Sequence, residues 1–331
     1  MITIQIGDSM IKRLLFLNNY SNNCYENLAI EKELLNKVDD KTVILYLWQN
    51  EKTVVIGKNQ NHLAECDIEK IKEDGVKIAR RMSGGGAVFH DKGNLNFTFI
   101  ADKENYNLPR QLEVIQKACE LAGITAEISG RNDILVDSKK FSGNAFYHTK
   151  TAALHHGTLL ISSDLEKVGK YLTPDISKLQ AKGVKSVKSR VANLNTVNPQ
   201  LTCDKMREYM ITAAEMVYGI KAEEYPNSDE LKNPETIELF GSREYIYETP
   251  IPYTAVFKGR TDLGTMELRL LVKNEKIEDV QVFTDSLDVK IPEQIACLLK
   301  GEKYDFESLQ NKLNSSFDSS FTQQIIDLLK S

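Results

Sequence analysis

The sequence predicts an α+β protein: mixed and antiparallel sheets flanked by helices, followed by a small C-terminal α/β domain. Three observations predict it. Strand-like and helix-like segments alternate without the regular βαβ rhythm of a doubly wound sheet. Two polar turns, at Asp137–Ser138 and at KNEK (273–276), each join a pair of strand-like runs. The chain also turns acidic and broken from about 222 to 249, which suggests a boundary between domains 1–249 and 250–331.

The elements follow in order. NCYENLAIEKELLNKV (23–38) reads as a helix, with Leu28, Leu35 and Val38 on one side and charges on the other. TVILYLW (42–48) and TVVIG (53–57) are β-branched runs separated by QNEK, which reads as a hairpin. NLNFTFI (94–100) alternates Phe97 and Phe99 with polar residues, as a half-buried strand does. LPRQLEVIQKACELAG (108–123) repeats apolar residues at Leu112, Ile115, Cys119 and Ala122 and stops at Gly123, a helix with a glycine terminus. NDILVDSKKFSGNA (132–145) reads as a hairpin, HHGTLLIS (155–162) as a strand, and MELRLLVKNEKIEDVQVFTD (266–285) as a second hairpin. Three short helical patterns complete the chain.

Composition narrows the function. The chain has 331 residues, 41% hydrophobic and 27% charged, ordinary for a globular protein of two domains. A net charge of −5 argues against a nucleic-acid binder, so any basic site is local. Five scattered cysteines without CxxC spacing fit a reducing cytoplasm better than a disulfide framework or zinc site. No apolar run approaches the roughly 20 residues that span a bilayer, so no membrane association is expected.

Four stretches carry candidate chemistry. RRMSGGGAVFHDKGNLNFTF (80–99) places two arginines, three glycines and a histidine inside a strand-like region. It is neither GxxxxGK[ST] nor GxGxxG. Glycine is costly to order, so Gly84, Gly85 and Gly86 are expected to lie against a ligand, with Arg81 as a cation for an anion. In KKFSGNA (139–145), Lys139 and Lys140 point to opposite faces, and whichever points inward needs an anion. In GRNDI (130–134), Asn132 and Asp133 either cap a turn or serve a metal, and Asp133 has the chemistry to share Mg²⁺ with a nucleotide phosphate. LQAKGVKSVKSRVANL (179–194) is a basic segment in an acidic protein, either a solvated face or a lid over phosphates. His155 and His156 are adjacent on a strand and face opposite sides, so a structural role is expected for them.

These stretches, in order, resemble one family: the lipoate–protein ligases of the bacterial two-domain type. The likeness runs through NLAIE (27–31), LWQNEKTVVIGKNQN (47–61), ARRMSGGGAVFHDKGN (79–94), SGRNDI (129–134), KKFSGNA, HHGTLL (155–160), KGVKSVKSRVANL (182–194) and VQVFTDSL (280–287). The resemblance implies an enzyme that activates lipoate with ATP and Mg²⁺ as lipoyl-AMP. It then transfers the lipoyl group to a lysine of an acceptor domain, in the E2 subunit of a 2-oxoacid dehydrogenase or the glycine-cleavage H protein. It further implies that Lys140 is catalytic and touches both lipoate and nucleotide. Arg81, Gly86, Ala87, Val88, Phe89, Lys182 and Lys188 would hold the nucleotide or adenylate. Ile30, Trp48, Val55, Arg81, Ser83, Gly85 and His90 would line the lipoate site, and Asp133 would meet Mg²⁺. An octanoyl or lipoyl transferase on the same scaffold would need a cysteine near the lysine hairpin, and none occurs between Cys119 and Cys203. Biotin–protein ligase would need a GRGRxG-type loop, which is missing. A non-catalytic lipoyl-domain binder would be expected to have lost some of these motifs.

Overall fold

The computed structural model describes residues 11–130, 132–173 and 191–331. It divides into two compact units. The first is the chain up to Val55 with Cys66–Ala79 and Val88–Ser242; the second is Ile56–Glu65, Arg80–Ala87 and Arg243–Ser331. Among the described residues, no helix is long and apolar enough to cross a membrane.

The elements of the first part of the chain are β1 (Arg13–Asn18), α1 (Cys24–Lys37), β2 (Thr42–Trp48), β3 (Thr53–Ile56), α2 (His62–Glu65) and α3 (Ile68–Glu73). They continue with β4 (Lys77–Arg80), β5 (Val88–His90), β6 (Asn94–Asp102), α4 (Leu108–Leu121) and β7 (Glu127–Ser129). Then come β8 (Asp133–Val136), β9 (Lys139–His148), β10 (Ala152–Leu160), α5 (Leu165–Tyr171), a helix at Cys203–Tyr218 and β11 (Ala222–Glu224). Eight strands form a mixed sheet in the order β11-β1-β2-β6-β10-β9-β8-β7. β1 pairs in parallel with both β2 and β11; the remaining pairs are antiparallel. A smaller sheet has the order β4-β3-β5.

Helices cover both faces of the large sheet. Val43, Leu45 and Leu47 of β2 and Phe97, Phe99 and Ala101 of β6 share a core with Val114, Ile115 and Ala118 of α4 and Met206, Met210 and Ala213 of the 203–218 helix. The alternate residues Tyr46 and Thr98 turn to the other face, where their hydroxyls bond Asn27 and Glu31 of α1. This corrects the half-buried reading of 94–100: every residue from Asn94 to Ala101 is buried, because the polar face is covered by α1 instead of water. It also corrects the hairpin expected between 42–48 and 53–57. Both edges of β2 are taken, by β1 and β6, so β3 pairs instead with β5, Thr53 opposite His90 and Val55 opposite Val88.

Other expectations hold. The 24–37 helix is capped by Asn23, whose side chain accepts from the Tyr25 amide. α4 is followed, after its cap residue Ala122, by Gly123, whose φ of +72° is the left-handed geometry of a helix stop. β8 and β9 turn through Asp137 (φ +48°) and Ser138 (φ +60°), the two-residue type I′ geometry that matches strand twist.

His155 and His156 face opposite sides, as alternation requires. His155 lies against Gln111 of α4 (3.1 Å) and Asn144 (2.7 Å), while His156 Nδ1 is 2.7 Å from Glu31 of α1. Burial pushes the His155 pKa down from 6.5 to about 3, with a smaller contribution from His156. The unfolded chain therefore takes up a proton at this residue between those values and the native fold does not. Stability is then full above the ordinary histidine value and falls as pH drops from 6.5 toward about 3. His155→Gln is expected to remove a slope of about 1.4 kcal/mol per pH unit from chemical denaturation midpoints measured across that window; an unchanged slope would refute the assignment.

The second unit contains β12 (Ala255–Thr261), β13 (Gly264–Lys273) and β14 (Lys276–Thr284), an antiparallel sheet in chain order. Three helices, Ile291–Leu299, Phe306–Asn314 and Ser319–Leu329, share one core with it, built on Leu268, Leu270, Ile295, Leu309 and Ile325. The expected second hairpin is present, turning through Asn274 (φ +49°) and Glu275 (φ +61°).

Candidate active site

The lysine hairpin supplies the one inward cation the sequence asked for. Lys139 is exposed, whereas Lys140 is partly covered and its Nζ lies 2.6 Å from Asp133 Oδ1 on the adjacent strand. The side chains are 26% and 16% exposed, so the pair is sheltered but open to an incoming ligand. Two features hold it. A Cβ at Gly143 would fall 2.9 Å from Lys140 Nζ, so glycine there leaves the ammonium its place. The backbone carbonyl of Lys140 accepts from Ala192 at 2.9 Å, tying the strand to the last residues of the 179–194 stretch. Asn132 and Asn144 exchange amide bonds to each other's carbonyls at 3.1 Å, so Asn132 closes the strand pair. Lys182 and Lys188, expected at the adenylate, lie outside the described residues.

On the α1 face of the large sheet a buried polar chain orients Trp48. The indole Nε1 donates to Thr98 Oγ1 at 3.0 Å, and the Thr98 hydroxyl donates to Glu31 Oε1 at 2.6 Å. His156 reaches the same oxygen. Thr98 and Glu31 are fully buried and Trp48 is 2% exposed, so this indole is fixed at both its ring and its N–H. His90 meets Trp48 edge-on at 6.1 Å between ring centroids. Ile30 precedes Glu31 in α1, and Val55 pairs with Val88; both Ile30 and Val55 are buried. Phe89 packs on Tyr171 at 5.1 Å. The first unit thus joins Trp48 to His90, Val55 to Val88 and Lys140 to Asp133.

Within the second unit, the glycine segment is built around Arg81. Its Nε donates to Ser83 Oγ (3.1 Å) and Gly84 O (3.2 Å), while its Nη2 donates to Gly84 O (2.7 Å) and Gly86 O (2.8 Å). Arg80, 1% exposed, does the same for the preceding turn, bonding the carbonyls of Gly57, Lys58 and Gln60. The glycines do not share one cause. A Cβ on Gly84 would lie 2.1 Å from the Ser286 carbonyl oxygen, and Gly85 has φ +89° and donates its N–H to that same oxygen at 3.0 Å. At Gly86 a Cβ would meet nothing within 4 Å. The protein's own backbone is thus enough to require glycine at 84 and at 85, whereas Gly86 carries no such constraint.

Comparison with known proteins shows the family. Residues 23–215 match the model of the lipoyl protein ligase A/B catalytic domain, and residues 251–329 match the bacterial lipoate protein ligase C-terminus. The chain belongs to the lipoate–protein ligase A family. Proteins named lipoate-protein ligase A from Bdellovibrio bacteriovorus and Psychrobacter cryohalolentis are 39% and 37% identical to it. The first alignment covers 92% of this chain and 93% of the relative, the second 91% and 92%. Among solved structures, P. falciparum LipL1 in complex with lipoate superposes with a TM-score of 0.84 at 30% identity, covering 96% of this chain and all of that one. A lipoate-protein ligase A bound with ATP gives a TM-score of 0.61 at 25% identity, covering 71% of this chain and 98% of that one. The α+β class and the ligase assignment both stand.

Several of the contacts described above carry no sequence motif of their own. Thr98 and Asn50 read as ordinary polar residues beside strands, and Ser286 as a loop serine. Only the fold shows that they touch Trp48, His90 and the glycine segment. The two cysteines that flank the lysine hairpin in sequence offer no competing nucleophile: burial pushes the thiols of Cys119 and Cys203 up to about 12 and about 11, far from a thiolate at neutral pH. Among the described residues, no group of three or more His, Cys, Asp or Glu side chains forms a metal cluster.

Proposed function

We propose that this ligase activates lipoate with ATP and passes the lipoyl group to a lysine of an acceptor domain. A lipoate carboxylate oxygen attacks the α-phosphorus of ATP, the bond to the β-phosphate oxygen breaks, and lipoyl-AMP and pyrophosphate result. The neutral ε-amine of the acceptor lysine then attacks the acyl carbon, AMP leaves, and the amine loses a proton. The observation that carries this reading is the sheltered Lys140 ammonium, held at 2.6 Å by a single carboxylate inside a ligase family motif. An arriving carboxylate and phosphate replace Asp133 as its counter-charge, and the ammonium offsets negative charge that grows on the α-phosphate. Bound Mg²⁺ would neutralise the remaining phosphate oxygens, with Asp133 as its protein ligand. Arg81, Ser83, Gly85, Gly86, Ala87, Val88 and Phe89 are assigned to nucleotide and acyl chain, with Ile30, Trp48, Val55 and His90 assigned to the lipoate pocket. No group in this scheme attacks the substrate covalently. Positioning is worth up to about 7–11 kcal/mol of barrier for well-oriented reactants.

The family matches end at 215 and resume at 251, which supports reading 1–249 as the catalytic domain and 250–331 as an accessory domain. The acceptors are taken to be lipoyl domains of 2-oxoacid dehydrogenase E2 subunits or the glycine-cleavage H protein, in the cytoplasm. Incubating purified acceptor domains with the protein, ATP, Mg²⁺ and free lipoate is expected to add one lipoyl mass to a single acceptor lysine, and to release pyrophosphate only when lipoate and ATP are both present. Pyrophosphate release without lipoate, or no mass change on any acceptor, would refute the reading.

A further inference from the structure

We propose that Asn50 is a positioning residue that holds His90 as a neutral ring with its proton on Nε2. The proposal rests on the reading above for His90 as part of the lipoate pocket, and on a relay of buried amides for its chemistry.

The relay begins at Asn27 of α1, which is fully buried. Its Nδ2 lies 3.1 Å from the Ser21 carbonyl oxygen and 2.8 Å from that of Gln49. Backbone carbonyls only accept, so this amide cannot be reversed. Its Oδ1 accepts from the Tyr46 hydroxyl (2.9 Å) and from Asn19 Nδ2 (2.8 Å), which agrees. Asn27 Nδ2 is also 3.0 Å from Asn50 Oδ1, sharing its two hydrogens among three oxygens. Reversing Asn50 would set two NH₂ groups against each other at that distance. Asn50 therefore turns its own NH₂ outward, where Nδ2 stands 3.1 Å from His90 Nδ1.

A ring nitrogen that accepts a hydrogen bond carries no proton. His90 Nδ1 is thus bare, and a neutral ring must keep its proton on Nε2. Protonating Nδ1 would bring N–H against N–H between two side chains that are 0% and 3% exposed, where a misplaced donor has no water to turn to. The histidine that follows GGGAVF is in this way an uncharged ring with its proton on Nε2, set edge-on to Trp48. The charged cation of the reaction remains Lys140.

Two-bond ¹⁵N–¹H spectra of the full-length protein report the tautomer directly, and with five histidines in the chain the His90 signals are assigned by their loss in His90→Gln. The parent at neutral pH is expected to show a protonated Nε2 and a bare Nδ1. Asn50→Asp presents only acceptors to the ring, so it is expected to move a proton onto Nδ1 and raise KM for lipoate about three- to tenfold, with kcat little changed. A proton on Nδ1 in the parent, or an unchanged pattern in Asn50→Asp, would overturn the proposal; the parent spectrum decides even if the variant does not fold. Lipoate titration of the parent separates the two readings. A wrong tautomer in a protein that binds lipoate refutes the relay alone, whereas no binding refutes the pocket.

Discussion

Lys140→Ala is expected to lower pyrophosphate release dependent on lipoate and ATP by about 10²–10³-fold, the usual cost of losing one preorganised donor at a developing charge. The fold should persist. The lysine side chain is 26% exposed, and Asp133, at 16%, keeps access to water once the ammonium is gone. Strand pairing of β8 with β9 depends on backbone groups that the substitution leaves in place. The melting temperature should therefore stay close to the parent value while the first half-reaction is lost. Supplying presynthesised lipoyl-AMP should restore part of the transfer to acceptor, because the second half-reaction relies mainly on proximity of the amine. Parental rates of adenylate formation in Lys140→Ala would refute the role given to this lysine.

Gly84→Ala and Gly86→Ala are expected to part company. At Gly84 the new methyl would enter a space already held by the Ser286 carbonyl at 2.1 Å, with the Leu287 carbonyl oxygen at 2.9 Å. Backbone atoms cannot swing aside as a side chain can, so a loss of about 3 kcal/mol in denaturant unfolding is expected, at the upper end of overpacking costs. At Gly86 the methyl meets nothing within 4 Å, so unfolding should match the parent. Any loss of pyrophosphate release in Gly86→Ala is then a ligand effect. Equal stability of the two variants would refute the separate roles given to these glycines.

The sequence was informative where local chemistry and fold agree. The Asp137–Ser138 turn, the Gly123 helix stop and the Asn274–Glu275 turn were legible because each needs a special φ that few residue types favour. Lys140 was legible through its motif, and the opposed faces of His155 and His156 through strand alternation alone. What escaped depends on neighbours far away in sequence. The segment 53–57 follows 42–48 after four residues and looks like its hairpin partner, yet the open edge of β2 is filled by residues 94–102. Asn96 and Thr98 have the pattern of a solvent face and instead lie under α1, where Thr98 serves Glu31 and Trp48. Gly84 reads as room for a ligand, but its constraint comes from a carbonyl some two hundred positions downstream. Periodicity records which side chains share a face; it carries no information about what will cover that face.

The hydrogen bond from Gly85 to Ser286 has a practical consequence for building hybrids of such ligases. A graft that exchanges everything after residue 249 splits a hydrogen-bonded junction, joining the recipient's triple-glycine turn to a foreign 284–287 loop. Hybrids that carry residues 80–87 along with the transplanted tail keep both sides of that junction from one parent, and should be the ones that express as folded protein.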